Sequence, residues 1–458
     1  MSRRSFEIDM TSGSIMDKLI SFSLPLMLSG ILQLLFNAVD IIIVGRFTGS
    51  TALAAVGSTT ALINMMINLF IGISIGTNVL AARFYAAQMR KELQETVHTS
   101  VAFSIISGVF MGVLGVVLAR PALLLMDTPA DVIDQSVLYM RIYFCGMPFF
   151  MVYNYCAAIL RAVGDTKRPL LFLFVSGCLN AVLNYILVRY FDMGVAGVAI
   201  ATVVSQLLSC ILVVICLLRE SGDFHLDFKK LTIRWRYLKE IFKVGIPAGL
   251  QSTVINFSNA LLQSSVNSFG ANAMAGYTAA NNVLGFLYVS VNSITQACMS
   301  FMSQNLGALK KDRLDKVFRD CVILELVLPL ILGGLAFFFA RDILGIYTRN
   351  SVDVEYGFAI LSITTFTYFL CGIMDLIPGA MRGLGHSTVP MILSIIGTVG
   401  TRIVWIFGLF PTHHTPRFLF VSYPVSWIIT ILMQVVCFYF VRRKVMSRIG
   451  TDFSKYKG

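Results

Sequence analysis

The sequence predicts an all-α integral membrane protein. Twelve transmembrane helices are expected in two parallel six-helix lobes, related by a pseudo-two-fold axis along the membrane normal. Apolar stretches long enough to cross a hydrocarbon core about 30 Å thick recur from end to end. Only 13% of the 458 residues are charged, against about 25% in soluble proteins. The two halves of the chain also align with each other at an offset of 221 residues.

The apolar stretches are predicted to be helices because they lack the period-2 alternation of strands, and because backbone groups in lipid must be hydrogen-bonded internally. The predicted spans are 19–44, 61–82, 97–118, 137–160, 170–188, 195–218, 245–269, 279–302, 322–339, 356–380, 390–410 and 419–440. We expect residues 1–218 to form the N-terminal lobe, 219–243 a cytoplasmic linker, and 244–458 the C-terminal lobe.

The chain has a net charge of +12, and its basic residues lie mainly in the predicted loops. With the N-terminus placed inside, 28 of the 36 lysines and arginines fall in cytoplasmic segments. This positive-inside bias predicts a multi-pass protein of a bacterial-type inner membrane with both termini cytoplasmic. We therefore expect the basic residues to determine how the chain is oriented in the membrane and to contact membrane lipid. We expect no nucleic-acid partner.

The repeat is clearest in one loop of each half. Residues 160–169, LRAVGDTKRP, align with residues 381–390, MRGLGHSTVP, and upstream Pro25 aligns with Pro247 after a slip of one residue. Each half contains six helices, so both enter the membrane from the same side and the repeats are parallel. The Gly-turn and Pro of these loops favour a tight inner turn over a binding site.

Helix 1 carries a lone acid at membrane depth, Asp40. Such a group costs about 2.5–3.5 kcal/mol on insertion scales, so it is expected to face a cavity or a partner. Gln33 and Asn37 precede it at spacings of four and three and share its face. Pro25 removes a backbone hydrogen bond from the same helix, which predicts either a hinge or a static kink.

Other helices of the first half carry polar side chains one turn apart. These are Asn64 and Asn68 on helix 2, Asn180 and Asn184 on helix 5, and Thr202, Ser205 and Ser209 beside Gln206 on helix 6. Together with Asp40 they predict a solvated pocket. Hydrogen bonding between packed helices is the alternative for each of them.

The second half has polar stripes on its first two helices. They comprise Ser252, Asn256, Asn259 and Gln263 on helix 7, and Asn281, Gly285, Tyr288, Asn292 and Gln296 on helix 8. We interpret them as lining of a substrate cavity in which an aromatic ring can contact an organic cation. Core packing is the alternative for Tyr288.

Four further charges lie inside predicted spans. Asp375 and Arg402 are deep, and we interpret them as an ion pair of the second lobe, with a second ion site as the alternative. Arg141 and Glu325 lie near predicted span ends and are expected to extend to the membrane surface.

Several catalytic and energy-coupling patterns are missing from the sequence. There is no G-x-x-x-x-G-K-[ST] loop for ATP, no HExxH or Ser-His-Asp arrangement within a span, and no metal-ligand spacing among the nine cysteines. We therefore expect no enzyme activity, no metal and no cofactor. A doubled helix bundle with a buried carboxylate predicts a secondary transporter driven by an ion gradient.

Several segments resemble the multidrug and toxic compound extrusion (MATE) family along essentially the full chain. They are GSIMDKLISFSLPLMLSG, FNAVDIIIVGRFTGSTALAAVGSTT, LRAVGDTKRP and GVAGVAIATVVSQ. The resemblance implies two six-helix lobes that export cationic or amphipathic compounds in exchange for H⁺ or Na⁺.

The resemblance also implies site residues. The family's helix-1 Asp matches Asp40, its helix-5 Asn matches Asn180, its helix-6 Thr matches Thr202, and its helix-1 Pro matches Pro25. The next helix-5 position is commonly Asp in that branch and is Asn184 here. Losing this carboxylate weakens Na⁺ coordination and favours proton coupling at Asp40. Asn37, Asn180, Asn184 and Thr202 are then expected to hydrogen-bond the carboxylate or a bound water.

The sequence thus predicts a monomeric multidrug or organic cation antiporter that alternates access between two lobes and is coupled to H⁺ or Na⁺. A flippase for lipids or lipid-linked oligosaccharides is the first alternative. Against it, Arg402 is the lone predicted mid-span cation that could bind the headgroup of such a lipid. An integral-membrane enzyme would need convergent catalytic groups. A major-facilitator transporter would need a charged, Gly-rich helix 2–3 loop, and RFYAAQMRKELQE does not provide one.

Overall fold

The structure is a computed structural model that describes residues 6–126, 128–220, 222–348 and 350–448. All regular elements in these ranges are helices, which confirms the predicted fold class. Four of the basic residues counted near the chain ends, Arg3, Arg4, Lys455 and Lys457, lie outside the described ranges, as does Arg349.

Twelve long helical segments follow one another, numbered here in chain order. They are α1 (Ile15–Phe47), α2 (Ser50–Ala86), α3 (Arg90–Leu125), α4 (Ile133–Cys145 and Met147–Ala162), α5 (Lys167–Arg189), α6 (Gly194–Leu218), α7 (Trp235–Asn267), α8 (Ala271–Gly307), α9 (Lys311–Phe338), α10 (Ser351–Gly383), α11 (Thr388–Thr412) and α12 (Pro416–Arg448). A short helix, Ala340–Tyr347, precedes α10.

Ten of these segments are long and apolar enough to cross a membrane, and the two parts of α4, bent by 47°, form an eleventh span. Helix α7 has 33 residues but is less apolar. Its polar stripe, identified in the sequence, lowers its mean hydropathy without shortening it.

The turns between helices repeat as the sequence does. Left-handed backbone occurs at pairs of positions 221 residues apart: Gly49 and Gly270 (φ 96° and 92°), Gln88 and Leu309 (56° and 60°), and Gly164 and Gly385 (97° and 86°). Glycine adopts this conformation without the steric cost of a side chain. The same local geometry thus reverses the chain at the same place in each half.

Packing divides the chain into two compact units. Unit 1 contains residues 1–9 and 28–249, and unit 2 contains residues 10–27 and 250–458. These boundaries differ from the predicted lobes because α1 and α7 are each shared. In unit 2 the first half of α1 packs on α8, where the rings of Phe22 and Phe301 lie 5.8 Å apart. The predicted lobe boundaries themselves stay a prediction.

Within unit 1, α2 lies unusually close to the first half of α7. A Cβ atom added to Gly72 would collide with the backbone of Gly249, and one added to Gly76 would collide with the carbonyl of Ile241. Gly245 in turn faces the backbone of Ile73. Small residues four apart on both helices allow such a close approach in membranes.

Buried charged side chains hold together the turn between α4 and α5. The Asp165 carboxylate accepts hydrogen bonds from the backbone N–H groups of Lys167 and Arg168, at 3.1 and 3.0 Å. The Arg168 guanidinium pairs with both Asp165 and Glu220. Burial raises the pKa of Asp165, and the charge of Arg168 opposes this shift. The geometry explains why the GDTKRP motif forms a tight turn.

We expect Arg168→Ala to lower the free energy of unfolding by about 3–5 kcal/mol, because it leaves two buried carboxylates without their cation. Thermal unfolding of the detergent-purified protein measures this change. Arg341→Ala is the matched control. Its pair with Glu355 is about 60% exposed on both sides, so the loss should stay at or below about 1 kcal/mol. Equal shifts in the two variants would contradict the expectation.

Candidate functional site

Asp40 is joined to α5 and α6 by a chain of side-chain hydrogen bonds in unit 1. The Asn184 amide donates to Asp40 Oδ1 and also, at 3.2 Å, to Asn180 Oδ1. Asn180 Nδ2 lies 3.5 Å from Thr202 Oγ1, and that hydroxyl donates to the carbonyl of Val198 at 3.0 Å. The structure therefore brings together four residues that the sequence and the family resemblance assign to one site.

The four residues of this hydrogen-bonded chain differ in burial. Asn180 and Asn184 are buried, whereas Asp40 and Thr202 are half-buried. The Oδ1 atom of Asn184 is buried without a hydrogen-bond partner. One turn before Asn180, Gly177 makes room for the ring of Phe36 from α1. This contact helps set the distance between the helices that carry the acid and the amides.

Two tyrosines near Asp40 were missed by the sequence reasoning. Tyr139 and Tyr143 on α4 stack with ring centroids 6.1 Å apart, and both lie within electrostatic range of Asp40. Gln206 on α6 faces Tyr143, and Gly146 leaves space for its side chain. The four-residue spacing of the two tyrosines was the available signal, because it places them on one face of a helix.

The other polar residues predicted in the first half lie outside the hydrogen-bonded chain. Asn37 is exposed, and its side chain makes no hydrogen bond with Asp40 in the described structure. For direct binding to the carboxylate this corrects the prediction, because Asn184 from α5 takes that place; a bond from Asn37 to a bound water stays a prediction. Gln33 and Asn64 are exposed and Asn68 is half-buried. At membrane depth, side-chain amides such as these are favoured at positions that water reaches.

In unit 2 the predicted ion pair between Asp375 and Arg402 is wrong. Arg402 is 3% exposed, donates to Asn259 Oδ1 at 2.7 Å, and lies over the ring of Tyr423 at 4.7 Å. Asp375 instead faces Tyr288 of α8 and Arg382, two turns further along α10. No ion pair joins the two residues in the part of the chain described.

The surroundings of Arg402 explain the error. Arg402 lies in a single α-helical turn, Thr401–Val404, between π-helical segments Ile395–Gly400 and Trp405–Leu409. A π-helical turn contains extra residues and changes the direction in which later side chains point, and such turns are frequent at functional sites. Asn259 and Tyr423 stabilise the cation through a hydrogen bond and a cation–π contact.

The remaining candidate cavity residues of unit 2 lie on accessible or half-buried positions. Asn256, Asn281 and Tyr288 are exposed. Gln263 donates to Asn267 at 3.1 Å, and Gln296 donates to Asn292 at 2.5 Å. The exposed fraction of Tyr288, 42%, leaves its ring available to a ligand. Whether these side chains line a substrate path stays a prediction.

The two charges expected near span ends behave differently. Arg141 is exposed and donates to the carbonyl of Val116, as expected of a side chain that extends outward. Glu325 is fully buried, which contradicts the expectation. Its helix begins at Lys311, earlier than the predicted span, so Glu325 lies near the middle of α9 and not at its end.

Pro25 is buried inside α1, two residues before the helix passes from unit 2 to unit 1. Pro247 occupies the same place in α7, two residues before the passage from unit 1 to unit 2. Within the described ranges, no three His, Cys, Asp or Glu side chains converge as metal ligands would.

Comparison with known proteins relates these features to one family. The MatE family model matches residues 25–186 and again residues 247–407, so both halves match the same model. The probable multidrug resistance protein YoeA of Bacillus subtilis is 30% identical over 93% of this chain and 94% of its own length.

Solved structures agree in fold. A MOP superfamily transporter from Pyrococcus furiosus superposes with a TM-score of 0.89 at 21% identity, covering 98% of this chain and 99% of that one. A multidrug resistance MATE transporter in an outward-facing conformation gives 0.89 at 20% identity, covering 97% and 100%.

Proposed function

The chain belongs to the MATE family of multidrug efflux transporters, and we propose that it exports small cationic or amphipathic compounds by antiport against protons bound at Asp40. The observation that carries this proposal is the hydrogen-bonded chain from Asp40 through Asn184 and Asn180 to Thr202. It places one ionisable group among neutral partners on three helices.

The donor set favours a proton over sodium. Na⁺, like other hard cations, prefers several oxygen ligands. Here the Asn184 amide presents its N–H group to the carboxylate, and a second carboxylate is lacking at that position. An ionised Asp40 accepts this hydrogen bond. A protonated Asp40 can instead donate to Asn184 Oδ1, which has no partner at present. Protonation would thus reverse the direction of the hydrogen bond between α1 and α5.

Coupling requires that this reversal favour one arrangement of the transporter over another, because an ion shifts an equilibrium only through different affinities for its two states. We propose that α1 bends near Pro25, where it passes from one unit to the other. A proline inside a helix lacks one backbone hydrogen bond, which lowers the cost of bending there.

The test is efflux of a fluorescent cationic dye from proteoliposomes in which pH and sodium gradients are imposed independently. We expect a pH gradient alone to drive dye movement and a sodium gradient alone to leave the dye rate at that of protein-free liposomes. If sodium alone drives transport, the proton assignment is wrong. If the protein moves a fluorescent lipid and no dye, the flippase alternative replaces the proposal.

We also propose that the transporter acts as a monomer in a bacterial inner membrane with both termini cytoplasmic. The strong bias of Lys and Arg toward the predicted inner loops supports this orientation. A reporter that fluoresces only in the cytoplasm, fused to the C-terminus, tests it. A dark fusion with normal membrane insertion would contradict it.

A further inference from the structure

Unit 2 contains a second carboxyl group at membrane depth, Glu325 on α9. Its exposed fraction is 0%. Neither of its carboxyl oxygens has a hydrogen-bond partner of ordinary geometry, and the same holds for the nearby hydroxyl of Thr295 on α8. A buried charge without a partner is among the most unfavourable arrangements in a protein, so such a group is stable only when neutral.

The groups around Glu325 do not supply a compensating cation. α8 contributes Thr295 and Cys298, α10 contributes Cys371 and Asp375, and α9 itself contributes Cys321. In the ranges that the structure describes, no ion pair includes Glu325. The charged side chain that acts on Glu325 is another acid, Asp375, which itself interacts with Arg382. A proton on Glu325 removes both the buried charge and the repulsion.

Packing provides a place for this carboxyl group. A Cβ atom added to Gly372 of α10 would collide with Glu325 Oε2, so the glycine leaves the space that the carboxyl fills. Larger residues there would push the acid away from α10. The absence of a side chain at residue 372 is therefore part of the site.

The fold does not require an acid at this position. In the first half, 221 residues earlier, Ser104 stands in place of Glu325 and Asn154 in place of Asp375. Ser104 donates to the carbonyl of Val101 at 2.7 Å, and Asn154 donates to the carbonyl of Phe150 at 2.8 Å. Neutral side chains with local partners thus satisfy the equivalent helix packing.

We propose that Glu325 is a second proton-binding site, which carries its proton in the conformation described here and releases it when the packing of α8, α9 and α10 admits water. On release the O–H bond of the carboxyl breaks and the proton passes to water, leaving a carboxylate. The part this plays in transport rests on the proton antiport proposed above. Sodium is disfavoured because the carboxyl and Thr295 offer three oxygens, fewer than that ion prefers.

Infrared spectroscopy of the full chain in nanodiscs tests the protonation directly. At neutral pH the protein should show a carbonyl band of a protonated carboxylic acid, which shifts in heavy water. Glu325→Gln should lose this band, and Thr295→Val should shift it because a neighbouring hydroxyl is removed. Glu355→Gln is the control: that side chain is exposed and paired with Arg341, so the band should remain.

The spectra are compared in an Asp40→Asn background, which removes the other carboxyl group proposed to bind protons, and there a band that survives in Glu325→Gln would overturn the proposal. If Glu325→Gln fails to fold, an unshifted band in Thr295→Val has the same consequence. Disappearance of the wild-type band on adding sodium at constant pH would assign the site to sodium instead.

A transport assay in proteoliposomes then counts the protons moved per dye molecule. Glu325→Gln should lose one coupled proton per dye while dye movement continues. An unchanged count, together with a lost band, would make Glu325 a buried structural acid and end its role as a coupling site. If the wild type shows no coupling to pH at all, the antiport proposal fails, while the infrared result still decides whether Glu325 is protonated.

Discussion

Asp40→Asn should reduce dye efflux driven by a pH gradient far below the wild-type rate. The substituted amide has the shape of the acid but cannot take up a proton, so the pH gradient no longer acts on the conformations through residue 40. Exchange of dye across the membrane without any gradient should persist, because the amide can still hydrogen-bond Asn184. Measuring both rates separates lost coupling from lost folding.

Asn37→Ala is the matched control for this variant. Asn37 lies one turn before Asp40 on the same helix, is exposed, and makes no hydrogen bond with the carboxylate. Its removal should leave pH-driven efflux close to that of the wild type. Wild-type efflux in Asp40→Asn would exclude Asp40 as the coupling residue, and equal losses in both variants would indicate a general effect on α1.

Asn184→Asp should make the transporter respond to a sodium gradient. The Asn184 side chain contacts Asp40 directly, so the variant places two carboxylates against each other. Like charges at that distance repel unless a cation or a shared proton lies between them. The extra oxygens supply ligands that suit a hard cation. We expect sodium alone to drive dye efflux in this variant and not in the wild type.

Asn68→Asp tests whether position matters in the sodium experiment. It adds the same charge on α2, at a half-buried residue outside the hydrogen-bonded chain of Asp40. This variant should not respond to sodium. A response in both variants would show that added negative charge attracts sodium without forming a site, and no response in Asn184→Asp would refute the ligand argument.

Much of the fold could be predicted because it depends on local patterns. Apolar runs and the 221-residue repeat predict the helices, and two of the three paired left-handed turns occur where the repeat places glycines. The bend of α4 was missed, since one continuous apolar run covers both of its parts, and the change of direction occurs at Gly146. An apolar run predicts how long a helix is but not whether the helix bends.

The site was predictable only where residues share a helix or a family motif. Asn180 and Asn184 are one turn apart, so their common face follows from the sequence. Contacts between helices depend on rotation about each helix axis, which the sequence does not give. This is why Arg402 was assigned to Asp375 and not to Asn259. Glu325 was misplaced for another reason, because polar residues extend α9 before its apolar run begins.

The sharing of α1 and α7 between the two units has a consequence for how the protein can be assembled. A half-chain cut in the loop between α6 and α7 would carry residues 10–27, which pack in unit 2, and would lack residues 235–249, which pack in unit 1. Neither half contains the whole of its own compact unit. Two fragments synthesised separately would each lack a segment that packs in its main unit. The boundaries of the sequence repeat and of the packing units therefore differ, and neither half-chain is expected to fold as a self-sufficient module.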